Sequence, residues 1–194
     1  MADFNKAYKL ISKYEGGYVN HPNDKGGETY RGIARNLFPQ WAGWKIIDKH
    51  KKNDNFKNNL YGDTYLNSLV EVFYRKQFWD KLQGDQIDSQ LIANELMDIA
   101  VNMGMNRATY FLQRALNVSN KKGRLWEDIA VDGVLGNNTI NTTNSATERG
   151  YSQLIYKLLN VMQGHRYIVL AERNKSQEVF IHGWLKRVQF KGGI

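Results

Sequence analysis

Apolar residues return every three or four positions along most of this chain and alternating runs are scarce, a periodicity that confines it to a mainly α fold. Phe4, Ala7, Leu10, Ile11 and Tyr14 share one helical face, so the segment from about Asp3 to Glu15 reads as an amphipathic helix stopped by Gly16 and Gly17. Between Trp41 and Asn59 a Lys- and Asn-rich stretch anchored by Trp41, Trp44, Ile46, Ile47 and Phe56 reads as loop plus a short helix. Leu66, Leu69, Val70, Phe73, Phe78 and Trp79 predict a helix that breaks near its end. Ser89 suits the cap of a helix with inner stripe Ile92, Leu96, Ile99 and Met103, and Asn106 suits the cap of the next. Glu148 to about Arg173 predicts the longest helix, and Phe180, Ile181, Trp184, Leu185 and Val188 a last one. One segment differs, a polar loop running roughly from Gly16 to Asn36. Loops of this length are functional or disordered, and the two Gly-Gly pairs and Pro22 specify turns, with a short β-hairpin near residues 17–33.

A chain of 194 residues can bury one compact core or two small lobes sharing an interface. The expected division is a first region over residues 1–90 and a helical second region over 91–194, packed as one unit. No window approaches the roughly 18 apolar residues of a membrane span, so no stable membrane insertion is expected. The N-terminal run from Met1 to Lys6 lacks an apolar core and a small-residue cleavage site, so no secretory signal is visible. The absence of cysteine removes disulfides, thiolate nucleophiles and cysteine-ligated zinc. His21, His50, His165 and His182 show no metal-ligand spacing, so neither a metal nor another cofactor is expected. The net charge of +8 favours an acidic partner: nucleic acid, an anionic membrane surface or an anionic wall polymer.

The candidate chemistry lies in the first loop. A carboxylate at a helix C-terminus between Tyr14 and Tyr18 is expected to be harder to ionise than usual, as a general acid requires, and Asp24 lies nine residues after Glu15. Paired carboxylates flanking a bond are how most enzymes cut glycosidic linkages, with one protonating the leaving oxygen and the other activating water or attacking the sugar. Thr29 would hold a water or orient Asp24. The residues alone leave a structural reading open, in which Glu15 ends a helix in a solvated turn and Asp24 forms an Asx-turn. A calcium loop built from Asn20, Asn23, Asp24 and Glu28 fails the EF-hand spacing.

The run from Glu15-Gly16-Gly17-Tyr18-Val19-Asn20-His21-Pro22-Asn23-Asp24 to Gly27-Glu28-Thr29, followed by Gly32-Ile33, closely resembles the signature of glycoside hydrolase family 108. Four further segments resemble the family in the same order: Phe73 to Trp79, Asp98-Ile99-Ala100-Val101-Asn102, Val131-Asp132-Gly133 through Thr139, and His182-Gly183-Trp184 through Val188. The third of these is similar to the turn of peptidoglycan-binding modules. The resemblance implies a lysozyme-like helical fold, an N-acetylmuramidase of the phage endolysin or secretion activator kind, and Glu15 as catalytic acid. Asp24 and Thr29 would complete the arrangement, although in a neighbouring family of phage lysozymes the threonine stands one residue further on, where this chain has Tyr30.

Asp98 and Asn102, one turn apart beside Glu95, would either line the cleft or hydrogen-bond the glycine loop. Trp41, Trp44 and Trp79 would stack on sugars or fill the core. Tyr74, more exposed by period, is the better sugar contact. For Asp132, Gly133 and Thr139 the turn itself suffices as explanation.

Three functional classes follow. The first is a muramidase cutting the β-1,4 bond between N-acetylmuramic acid and N-acetylglucosamine, or a lytic transglycosylase if Glu15 works alone. The second is a non-catalytic peptidoglycan-binding or secretion factor. The third, a basic helical nucleic-acid binder, has only the net charge in its favour and no Arg-rich recognition helix. The expected partner is therefore the peptidoglycan glycan strand rather than nucleic acid, met as a monomer in the periplasm or outside the cell after holin-like or specialised export.

Overall fold

The computed structural model describes residues 1–13, 16–20, 27–52 and 55–188. Nine α-helices and three short strands are found among them: α1 (Phe4–Ile11), β1 (Tyr18–Val19), β2 (Thr29–Tyr30), β3 (Ile33–Ala34), α2 (Gly43–His50), α3 (Phe56–Gly62), α4 (Thr64–Tyr74), α5 (Gln90–Met103), α6 (Met105–Ser119), α7 (Asn137–Glu148), α8 (Ser152–Arg173) and α9 (Ile181–Trp184). The class is mainly α, as the periodicity requires. The chain forms two compact units, one of Tyr8–Gln77 and one of Met1–Ala7 with Phe78–Ile194.

In the Tyr8–Gln77 unit the strands make an antiparallel sheet in the order β1-β2-β3, with Tyr18 opposite Tyr30, Val19 opposite Thr29 and Tyr30 opposite Ile33. Arg31 and Gly32 form the two-residue connection of β2 to β3, both at positive φ (44° and 77°), the combination that matches the twist of a tight hairpin. Tyr74 on α4 donates its hydroxyl to Arg31 O at 2.9 Å and ties that turn to the helix. Asp63 caps α4 by accepting from Leu66 N at 2.8 Å. Trp44, Ile47, Leu60, Leu66, Val70 and Phe73 fill the core beside Tyr30.

Three sequence expectations are corrected. Helix α1 closes at Ile11, not at Glu15: Ser12 and Lys13 form a turn in which Ser12 Oγ donates to Lys9 O at 3.3 Å, a side-chain bond that competes with helical pairing. The last helical residue thus stands four positions before Glu15. The sequence 41–59 contributes two helices, α2 and the start of α3, rather than one. Asn106 does not cap α6, because Gly104 at φ 87° makes the sharp break from α5, and Asn106 instead donates to Gly133 O at 3.4 Å.

In the second unit α5, α6 and α8 pack together around Ile92, Leu96, Leu112, Leu116, Ile155 and Leu159. Ser89 caps α5 through Ile92 N. The chain's first residues belong here as well: Ala2 N donates to Ile87 O at 2.7 Å, and Phe4 meets the fully buried Trp79 edge to face at 6.0 Å. The stretch from Arg75 to Trp79 is one π-helical segment, the break expected near the end of α4. Helix α8, of 22 residues, is the longest described.

The Asp132–Thr139 turn is stitched chiefly by one side chain, Gln113, with Asn106 adding a bond to Gly133 O. Gln113, buried on α6, accepts from Gly133 N at 2.8 Å and donates from Nε2 to Asp132 Oδ1 at 2.8 Å and Val134 O at 3.1 Å. Asp132 Oδ1 also accepts from Val134 N, and that bond, with the one from Gln113, holds its carboxyl below the usual carboxylate range. Gly133 needs its φ of 74°, and a Cβ there would run into the Asn106 amide. Replacing Gln113 by Ala leaves buried backbone groups without partners, which costs about 1–3 kcal/mol and lowers the melting temperature by a few degrees in calorimetry.

Candidate active site

The hairpin organises the segment that carries the expected chemistry. Val19 pairs with Thr29, so residues 20–28 connect two hydrogen-bonded strands. Glu15 and Asp24, the expected acid and its partner, lie outside the described residues. Thr29, half-buried at the start of β2, donates its hydroxyl to Gly27 O at 3.3 Å. Gly27 requires φ 67°, and a Cβ on it would strike the Asn36 amide, so the C-terminal end of the connection is fitted closely.

The electrostatic centre of this unit is Glu28, only 8% exposed. Lys51 Nζ lies 2.6 Å from its Oε1 and Arg35 Nε 3.2 Å from its Oε2. Arg35 N also donates to the Glu28 carbonyl at 2.8 Å. Asp48 joins through Arg35 Nη2 at 2.8 Å and Lys51 Nζ at 3.2 Å, and the Arg35 bond chiefly holds its carboxyl low. Burial pulls Lys51 down, yet its bonds with Glu28 and Asp48 outweigh that and keep its ammonium above the ordinary value. Tyr18 is pushed up by burial and by its bond with Glu28. A charged carboxylate this buried is tolerable only with such partners. Residues 28, 35, 48 and 51 share no short motif, so no local pattern in the sequence announces the cluster.

Nearby, His50 Nε2 and Asp63 Oδ2 are 2.8 Å apart, and the hydrogen bond from His50, with the cap bond from Leu66 N, lowers Asp63. Tyr61 stands so close to the Gly17 α-carbon that any side chain there would meet its ring. Tyr74 corrects an expectation. It is 2% exposed, packed against Tyr8 at 5.6 Å and bonded to the hairpin turn, because the inward face of α4 is wide enough to include both Phe73 and Tyr74. Trp44 and Trp79 are core residues, whereas Trp41 is half-buried and lines a cavity of about 560 Å³ with Leu37, Phe38, Leu69 and Val72.

Asp98 and Asn102 belong to the other unit. Asn102 Nδ2 donates to Asp98 O at 2.7 Å and to its Oδ1 at 3.3 Å. Asp98 also accepts from Arg187 Nη1 and Gln163 Nε2, both at 2.8 Å. Its carboxylate thus joins α5 to α8 and to the chain just beyond α9. One turn earlier lies Glu95, 6% exposed, with Oε1 buried and unbonded. Burial, and then the Asp98 charge, push Glu95 up to about 8 against a small opposing effect of Asn160. Burial likewise raises Tyr167, whose ring stacks on Trp184 at 5.2 Å. Among the described residues no group of three or more His, Asp or Glu is placed to hold a metal, and no helix is long and apolar enough to cross a membrane.

Comparison with known proteins gives two family matches. Residues 8–104 match the model described as glycosyl hydrolase 108, and residues 107–189 match the one described as predicted peptidoglycan domain. The solved structure of Brucella abortus SagA is similar at 25% identity and a TM-score of 0.58, over 95% of this chain and 88% of that one. No curated protein matches.

The raised pKa of Glu95 has a signed consequence. The folded protein keeps this proton up to about pH 8, while the unfolded chain releases it near 4.5, so stability falls as pH rises through that window and is level above it. Glu95→Gln, which imitates the protonated form, should remove this component. Its melting temperature should gain on wild type between pH 5 and pH 8, and parallel pH profiles in calorimetry would refute the assignment.

Proposed function

Because the chain belongs to the glycosyl hydrolase 108 family, a glycoside hydrolase followed by a predicted peptidoglycan domain, we propose that it is an N-acetylmuramidase. It would cut the β-1,4 bond between N-acetylmuramic acid and N-acetylglucosamine, acting as a monomer on the cell wall. The observation that carries this reading is the family match over residues 8–104, which contains Glu15, Asp24 and Thr29 in one run. Glu15 protonates the glycosidic oxygen as the bond breaks. Asp24 takes a proton from the attacking water, and Thr29, whose hydroxyl proton is directed to Gly27 O, offers its oxygen to that water or holds the end of the loop.

Support comes from how the strand ends are held. The pairing of Val19 with Thr29 and the Glu28 cluster fix where residues 20–28 leave and rejoin the sheet, and Tyr74 braces the neighbouring turn from behind. In this reading Tyr74 is a positioning residue, and Trp41, half-buried in the wall of the cavity, is a candidate to meet a sugar. Asp98 and Asn102 act within the second unit, where Asp98 holds α5, α8 and Arg187 together.

Digestion of purified peptidoglycan, with products resolved by mass spectrometry, tests the proposal. Wild type should release fragments with new reducing ends. Glu15→Gln should lower the rate by about a hundredfold to ten-thousandfold, the usual contribution of a positioned general acid, and Asp24→Asn should lower it as well. Anhydro ends would replace the water step with attack by the sugar's own hydroxyl, and full activity in Glu15→Gln would remove it from the acid role.

A further inference from the structure

Between α6 and α8 lies a groove of about 210 Å³ whose rim carries Arg107, Arg114, Arg166 and His165. Its floor is apolar and aromatic, with Phe111 buried and Tyr110 half-buried, and Met162 and Val169 complete it from α8. Arg107 and Arg114 stand seven residues apart, about 10 Å along the helix. Both guanidiniums lie near Tyr110, at 5.9 and 5.6 Å from its ring centre, and Arg107 also lies 5.9 Å from Phe111. Such contacts give the planar groups a weak bias toward the aromatic surface.

Ordinary surface arginines are balanced by neighbouring carboxylates, and these are not. Among the described residues no Asp or Glu lines the groove, α6 contains none, and α8 contains only Glu172 near its C-terminus. Among the described residues none of the three arginines forms an ion pair, whereas Arg35 and Arg187 do. The arrangement is a positive rim above an apolar floor. A floor of that kind suits an organic group with an aliphatic part beside its charge better than a bare phosphate chain. The volume is below the roughly 300 Å³ of a typical small-molecule pocket, so the groove fits the end of a polymer branch rather than a whole molecule.

We propose that this groove binds the terminal carboxylate of a peptidoglycan stem peptide, with a small aliphatic side chain against Phe111, Met162 and Val169 and the carboxylate between Arg107 and Arg166. The proposal rests on the wall-directed reading above and names which part of the wall the second unit grips.

Titration calorimetry of the full chain against an acetylated stem pentapeptide ending in D-alanyl-D-alanine, as free acid and as C-terminal amide, tests it. The acid should bind at least about tenfold more tightly than the amide, since a charge-assisted pair is lost, and Arg107→Gln with Arg166→Gln should weaken the acid by a similar factor. No binding of the acid at millimolar concentration, equal binding of acid and amide, or an unchanged affinity in the double variant would overturn the proposal. So would a preference for inorganic polyphosphate over the peptide. The acid-to-amide comparison uses wild type alone and holds even if the variants fail to fold. Cleavage of peptide-free glycan strands separates the two levels: cleavage without peptide binding overturns only this inference, and peptide binding without cleavage overturns only the hydrolase reading.

Discussion

The Glu28 carboxylate is the constraint around which the Tyr8–Gln77 unit is arranged. A charge at 8% exposure carries a desolvation cost of several kcal/mol, and the fold meets it by bringing three separate pieces of chain to one point. Arg35 comes from just beyond β3, Lys51 from the end of α2 and Tyr18 from β1. Arg35 then binds again: its guanidinium lies 4.6 Å over the Trp44 ring and its Nη2 donates to Trp44 O at 3.3 Å. The sheet is too short to be stable through its own hydrogen bonds, with strands of two residues. It persists because ion pairs and aromatic packing fasten it to α2 and α4.

A similar device recurs in the second unit with a different balance. Asp98 accepts from Gln163, Asn102 and Arg187, so its charge is answered and ties the end of the described chain to α5. Glu95, one turn away, has no cation beside it among the described residues and sheds its charge by keeping its proton. The two carboxylates differ in environment, not in type. That contrast makes Glu95 sensitive to pH across the neutral range while Asp98 serves as a joint.

Much of this organisation was legible because it is periodic. The inner stripes of α5 and α6, the Ser89 cap and the hairpin bounded by glycines follow from spacings of two, three or four residues, whereas on α8 the expected inward Leu154 is exposed and the buried face runs through Ile155, Leu159, Gln163 and Tyr167. What the sequence hid is whatever depends on partners far apart. Asp98 and Arg187 are 89 residues apart, Gln113 and Gly133 are 20 apart, and nothing local marks either pair. Helix ends were misplaced where a side chain competes for the backbone, as Ser12 does, or where a glycine breaks the chain before a plausible cap, as Gly104 does before Asn106. Tyr74 is buried where its period predicts exposure, because a hairpin turn rests on its hydroxyl. For Glu15, Asp24 and Thr29 the legible signal is the family motif rather than geometry.

The placement of charge differs from what the net charge alone suggests. The chain has 27 basic and 19 acidic residues, and several of the acids are consumed internally: Glu28 and Asp48 by Arg35 and Lys51, Asp98 by Arg187. Those pairs use as many bases as acids, so the surplus lies elsewhere. Part of it stands on α6 and α8, where among the described residues no acid answers it and aromatic rings lie beside the guanidiniums. A diffuse positive surface draws an anionic polymer within about 10 Å, the reach of an unscreened charge at ordinary salt. A positive rim over an apolar floor would do more, since in the proposed role it would distinguish one anionic group from another. Net charge alone left nucleic acid, membrane and wall equally open, and it is the arrangement of that charge that turns an electrostatic preference into a chemical one.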